Sequence, residues 1–214
     1  FFSFHFEVLV VLFCYIYIIT IIYSELFMTS QFLAGVDEVG RGCLAGPVVS
    51  AAVILKKSAD INIMQDSKKI SPSKRKIIAQ HILNHSHAIG IGLCNNHDID
   101  RLNIHHATLL SMRKAVLNLN VKPTMIYIDG KFKPEIDISC QPIIGGDNKI
   151  PEISAASIIA KVLRDNEMSF LHYKNPVYGF IKHKGYGTKE HLQAIDLFGP
   201  SIFHRLSFSP LNEN

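Results

Sequence analysis

From residue 32 onward, apolar and polar positions alternate between two periods. FLAGVDEVG and VVSAAVIL are short apolar, β-branched runs bounded by glycine and by Pro47, and they read as two successive buried strands. Ser71 and Pro72 then occupy N-cap and first-turn positions ahead of KRKIIAQHIL, whose apolar residues recur at helical spacing. AIGIGLC predicts a third strand, the stretch from about Asp100 to Asn118 a helix, and MIYIDG a fourth strand ending in a glycine turn. PIIGG, residues 142 to 146, is at best a short fifth strand. EISAASIIAKVLRDNEMSFLHYK predicts one long amphipathic helix, followed by a tail rich in Gly, His and Lys from Tyr178 to Thr188 and a short helix near Lys189 to Leu197. The order predicts an α/β domain whose first strands form a meander and whose later ones are joined by helical crossovers.

The first 27 residues break this pattern. They run almost uninterruptedly apolar from Val8 to Tyr23, hold none of the 22 Lys and Arg, and carry only Glu7 and Glu25 as charges. A secretory signal would show a positive start and a small-residue cleavage site, and neither is visible. The 16-residue run is short for a membrane span of about 20 residues. The first Met is Met28, directly ahead of the first patterned segment. The expectation is therefore a gene-start artefact over residues 1–29 and a catalytic domain over 30–214, with no targeting segment and a cytoplasmic location. Without the leader the net charge rises from +4 to +6, which suits a polyanionic partner. At 48% apolar and 19% charged, the chain excludes disorder. Its four cysteines (Cys14, Cys43, Cys94, Cys140) lie at spacings that fit neither a disulfide framework nor a zinc site.

The most unusual local sequence is GVDEVGRGCLAGP. Asp37 and Glu38 end an apolar strand, where successive side chains face opposite ways, so one of the two faces inward unless the strand ends or bulges there. An inward carboxylate needs its desolvation offset, and a cation is the common solution; a solvated turn is the alternative. Gly40, Arg41 and Gly42 form a loop that backbone or phosphate can approach closely. GRGCLA also matches a dinucleotide fingerprint in spacing, but a strand rather than a helix follows it, and no GK[ST] closes a phosphate loop. Asp129 ends a second apolar strand, and Asp147 follows a glycine pair. Ligands bind at strand ends in α/β sheets, so these four acids converge on one sheet edge, and an all-oxygen donor set selects Mg²⁺ or Mn²⁺. Each aspartate alone is equally a turn former. Ser157, Lys161 and Asp165 share one helix face, with Lys161 and Asp165 spaced for an ion pair. Tyr186, between glycines beside basic residues, is placed either to stack on a sugar or base or simply to make a turn.

The ordered blocks GVDEVGRGCLAGPVVSAAVIL, DSKKISPSKR, IDGK, SAASIIAKVLRD, HKGYGTKEH and HRLSF closely resemble ribonuclease HII over about residues 33 to 210. The resemblance implies a ribonuclease H-like fold, a mixed five-stranded sheet flanked by helices. It implies cleavage of the RNA strand of RNA–DNA hybrids and incision on the 5′ side of single ribonucleotides in duplex DNA, by two-metal-ion hydrolysis. It also implies that Asp37, Glu38, Asp129 and Asp147 are the catalytic metal ligands for Mn²⁺ or Mg²⁺. Gly40, Arg41 and Gly42 would read the 2′-hydroxyl and its neighbouring phosphate, Tyr186 would stack on the deoxyribose after the junction, and Ser157, Lys161 and Asp165 would support the site. A monomer needing no obligate protein partner is expected. Two other readings use the same residues: a DNA nuclease or resolvase on this fold, and a membrane-tethered hybrid-binding protein.

Overall fold

The computed structural model describes residues 32–64 and 70–213; the apolar leader lies outside the described residues. Strands β1 (Leu33–Val39), β2 (Val48–Leu55) and β3 (Ser86–Cys94) form an antiparallel meander, while β4 (Met125–Asp129) and β5 (Cys140–Ile143) add to β1 in parallel, giving the order β3-β2-β1-β4-β5. This is the expected mixed five-stranded sheet. Helices α1 (Pro72–Asn84) and α3 (Pro151–Lys174) lie toward one face and α2 (Asn96–Leu117) toward the other. On β2, Ala51 and Val53 pack toward α1 and α3, and Ala52 and Ile54 pack toward α2. Both faces are covered, so β2 reads as a buried run with Ser50 its one polar residue, bonded to Ser111, rather than as an alternation.

The helix caps follow the sequence. The Ser71 hydroxyl accepts the Lys74 amide, with Pro72 in the first turn. Helix α2 starts at Asn96, four residues before the expected Asp100, because Asn95 and Asp98 form a capping box; the helical path then kinks at Asn103, whose φ is 65°. Strand β5 ends before the glycine pair, since Gly145 (φ 64°) turns the chain into a single 3₁₀ turn at Gly146–Asn148. Pro142 is tolerated because β5 is an edge strand.

The tail from residue 176 is well structured. A 3₁₀ turn, the one-turn helix α4 (Phe180–His183) and helix α5 (Lys189–Phe198) close a further apolar cluster around Phe180, Tyr178, Met168 and Leu44. Through it runs a chain of buried histidines. His191 Nδ1–H donates to the Tyr186 carbonyl (2.9 Å), which leaves His191 Nε2 to accept from His204 Nε2–H (3.0 Å). His204 Nδ1 in turn accepts from the Ser201 amide (2.9 Å) and hydroxyl (2.8 Å). Every proton position is set by the next acceptor, and each ring is neutral.

Burial holds His191 and His204 neutral down to about 4, well below the histidine range. The unfolded chain binds protons near pH 6.5, so between about 6.5 and 4 it holds more protons than the native fold and stability falls as pH falls. Each ring costs on the order of 1.4 kcal/mol per pH unit across that window, and the buried Asp37 and Glu38 carboxyls, raised above their ordinary range, offset part of this because they favour the fold as pH falls, leaving a net loss of a few kcal/mol. Urea midpoints at pH 7.5 and 4.5 measure it, and equal midpoints would contradict it.

Candidate active site

Parallel pairing of β1 with β4 aligns Val36 with Ile128, so the next residues, Asp37 within β1 and Asp129 at the end of β4, stand side by side where the parallel pairing stops. Val36 packs toward α2, and the alternation of the strand therefore turns Asp37 toward α3. There the Ser157 side chain hydrogen-bonds its carboxylate, and the Glu38 amide donates to its Oδ1 (2.7 Å). Asp37 is 5% exposed. Burial, then the neighbouring charges of Glu38 and Asp129, push its carboxyl well above the usual range; burial also raises Glu38, with Arg41 opposing the shift. Glu38 Oε2 is buried and has no hydrogen-bond partner.

These groups line one pocket with Arg75, Lys161, Tyr186 and Asp129. Asp129 Oδ1 accepts the Gly146 amide (2.7 Å), which ties the end of β4 to the turn that carries Asp147. Asp147 itself is buried on that turn, with Oδ1 accepting from Asn148 Nδ2 (2.8 Å), and does not line the pocket. Lys161 lines the pocket while holding Asp165 Oδ1 at 2.7 Å; Asp165 also faces Arg75 at 4.0 Å and stays outside the pocket. The expected ion pair is therefore present, with Lys161 as its pocket-facing member.

The glycine loop begins at Gly40, with φ 95°. A side chain there would meet the buried Arg164 guanidinium, its Cβ 2.0 Å from Nε. Arg41 and Gly42 are exposed, and Arg41 Nε lies 3.8 Å from Glu38 Oε1. Tyr186, 43% exposed, reaches the pocket from the other side, where its backbone bridges Cys43 and its hydroxyl hydrogen-bonds the Cys43 thiol. The structure thus gathers Asp37, Glu38, Asp129, Ser157, Lys161 and Tyr186 around one pocket, with the loop residues Gly40, Arg41 and Gly42 just beyond Glu38. Arg75 was missed by sequence reasoning: it stands in a run of basic residues on α1, and nothing local separates it from Lys74 or Lys76.

The donor chemistry fits a hard divalent cation. The available ligands are carboxylate oxygens, and the buried, unpartnered Glu38 Oε2 and the raised Asp37 carboxyl both call for positive charge. Among the described residues no three acidic side chains meet closely enough to hold one ion by themselves.

Comparison with known proteins assigns the chain to a family. The ribonuclease HII family model matches residues 34–210. Ribonuclease HII of Dichelobacter nodosus is 50% identical over 179 residues, covering 84% of this chain and 95% of the relative. In fold, the chain is similar to the crystal structure of ribonuclease H2 from Pyrococcus horikoshii OT3 (TM-score 0.72, 23% identity, 86% of this chain and 96% of that one). It is also similar to Bst-RNase HIII in complex with Mn²⁺ (TM-score 0.61, 21% identity, 87% and 70%). A family match across nearly the whole described domain, with half of the residues shared with a curated relative, shows that the chain belongs to the ribonuclease HII family and is a ribonuclease H hydrolase, an endoribonuclease of RNA–DNA hybrids.

Proposed function

We propose that this pocket cleaves the RNA strand of RNA–DNA hybrids and incises duplex DNA on the 5′ side of a single embedded ribonucleotide, with Mn²⁺ or Mg²⁺ held by Asp37, Glu38, Asp129 and Asp147. The observation that carries the reading is the buried, unpartnered Glu38 Oε2 beside Asp37 and Asp129. Two divalent cations at such a site supply water activation and charge neutralisation on the leaving oxygen. The protein's own groups do the rest. Ser157 fixes the orientation of the Asp37 carboxylate, and the Gly146 amide fixes that of Asp129. Asp147, on the turn that Asp129 anchors and set back from the pocket, would complete the ligand set once metal is bound. Lys161, steadied by Asp165, offers positive charge to a phosphate at the pocket, as does Arg75. The Gly40–Gly42 backbone can approach a 2′-hydroxyl with no side chain in the way, which is how RNA is told from DNA. The chain acts in this reading as a cytoplasmic monomer, which size measurement in solution tests.

Cleavage of a long RNA–DNA hybrid and of an all-DNA duplex, in Mg²⁺, Mn²⁺ or chelator, tests the reading. Metal-dependent cutting of the hybrid alone is expected; cutting of the DNA duplex would favour the nuclease or resolvase alternative. Tyr186→Ala is expected to reduce incision at a single ribonucleotide roughly tenfold more than cleavage of a long hybrid, since an aromatic ring stacked on a base contributes about 1–3 kcal/mol, a contact on one nucleotide is of that order at most, and a long hybrid offers many registers. Equal losses in kcat/KM would show that Tyr186 only packs against Cys43.

A further inference from the structure

We propose that the segment His204–Ser207 is a positioning clamp for both substrate-facing elements, with Arg205 the residue that sets the glycine loop; this rests on the reading of Gly40–Gly42 and Tyr186 given above. Arg205 is fully buried and forms no ion pair within 4 Å among the described residues. Its donors go instead to backbone carbonyls. Nη2 reaches Gly40 (2.7 Å) and Gly46 (2.8 Å), Nη1 reaches Arg41 (2.8 Å), and Nε reaches Gly46 (3.0 Å). In a trans peptide the C=O and the following N–H point in opposite directions. Drawing the Gly40 and Arg41 carbonyls inward onto the guanidinium therefore turns the Arg41 and Gly42 amides outward, as two donors of the kind a phosphate or 2′-hydroxyl accepts. A buried arginine spanning three carbonyls in a planar fork holds this orientation in a way a single ammonium cannot.

The same segment reaches Tyr186. His204 bridges Ala45 in antiparallel fashion, and its ring continues through His191 to the Tyr186 carbonyl. Leu44, between the two elements, donates to Gly185 (2.8 Å) and accepts from the Arg205 amide (2.8 Å). The clamp is fastened from outside by α2. Asp100 accepts the amides of Leu206 (3.1 Å) and Ser207 (3.0 Å) and the Ser207 hydroxyl (2.6 Å), and Asn96 donates to the carbonyls of Ile202 (2.9 Å) and His204 (3.0 Å). Asp100 makes these hydrogen bonds to Leu206 and Ser207, not to the glycine loop or Tyr186, so its link to both runs through the clamp.

The test uses full-length Arg205→Lys and Asp100→Ala, with Ile82→Ala as a match for lost stability, since Ile82 is a fully buried side chain on α1 in another cluster. For each, kcat and KM are measured on a duplex with one ribonucleotide and on a long RNA–DNA hybrid, alongside Tm. Relative to the long hybrid, kcat/KM for the single ribonucleotide is expected to fall roughly tenfold in Arg205→Lys and about threefold in Asp100→Ala, mainly through KM, because ground-state contacts are what the loop supplies. Ile82→Ala is expected to lower Tm without moving this ratio. Should Arg205→Lys fail to fold, the exposed Asp100 contacts carry the test alone. An unchanged ratio in Asp100→Ala, or an equal shift in Ile82→Ala at matched Tm, overturns the clamp. A wild-type protein that cuts neither substrate overturns instead the reading on which the clamp rests.

Discussion

Asp37→Asn cleaves hybrid roughly a thousandfold more slowly than the wild type, about 4 kcal/mol of lost transition-state stabilisation, while binding the hybrid with little change. The substitution keeps the shape of a side chain that is 5% exposed and retains an oxygen for the Glu38 amide. What it removes is one negative charge beside Glu38 and Asp129. Binding depends chiefly on phosphate contacts from groups such as Lys161 and Arg75, which the substitution leaves in place. Stability separates this account from simple damage. In the folded chain burial and like charges raise the Asp37 carboxyl well above its unfolded value, so its ionised form opposes folding at pH 7 when no cation is bound. The asparagine protein, stripped of metal by chelator, should therefore melt at the same temperature as wild type or higher. Added Mn²⁺ should raise the wild-type Tm more than that of the variant, because binding to the native state alone stabilises it. A variant that retains activity, or that melts well below wild type in chelator, would contradict the assignment of Asp37.

The second large effect contrasts two glycines seven residues apart. Gly35→Ala is expected to destabilise the fold by more than about 3 kcal/mol, with expression or Tm falling accordingly. Its Cβ would sit 2.1 Å from the Glu152 carbonyl carbon and 2.2 Å from the Ile153 amide nitrogen. Those are backbone atoms in the first turn of α3 and cannot swing aside. Pushing α3 from β1 also separates Ser157 from Asp37. Gly42→Ala should behave in the opposite way. A Cβ there meets nothing within 4 Å, and its φ is not in the left-handed region, so stability should stay within about 0.5 kcal/mol of wild type. The loss, several-fold in KM for the single-ribonucleotide duplex, should come only when substrate approaches the loop. Thermal melts together with steady-state kinetics on both variants distinguish the two. A Gly42→Ala protein that binds and cuts normally would show that the loop does not touch the substrate.

The strands that carry Asp37 and Asp129 were legible because each is an apolar run that stops at an acid and a glycine, and parallel alignment of strand ends is a general property of such sheets. The Lys161–Asp165 pair was legible for the same local reason, helical spacing. What escaped was what depends on distant partners. Arg205 acts on Gly40 and Arg41 from 165 and 164 residues away in sequence, and no periodicity reports such a contact. His191 and His204 look like ordinary tail residues until folding buries them end to end. Asp147 shows the limit from the other side: GGD marks a turn in sequence, and the structure makes it one, tied to Asp129 through Gly146 and set back from the pocket. The start of α2 was misplaced because its first turn, with the capping pair Asn95 and Asp98, is polar up to Ile99.

The most direct test of the central claim is to incubate the protein with a DNA duplex carrying one ribonucleotide, in Mn²⁺, Mg²⁺ or chelator, and to map the nick at nucleotide resolution. The account predicts a single incision on the 5′ side of the ribonucleotide, present with either metal and absent in chelator. Incision that persists in chelator, or a nick on the 3′ side, would contradict it.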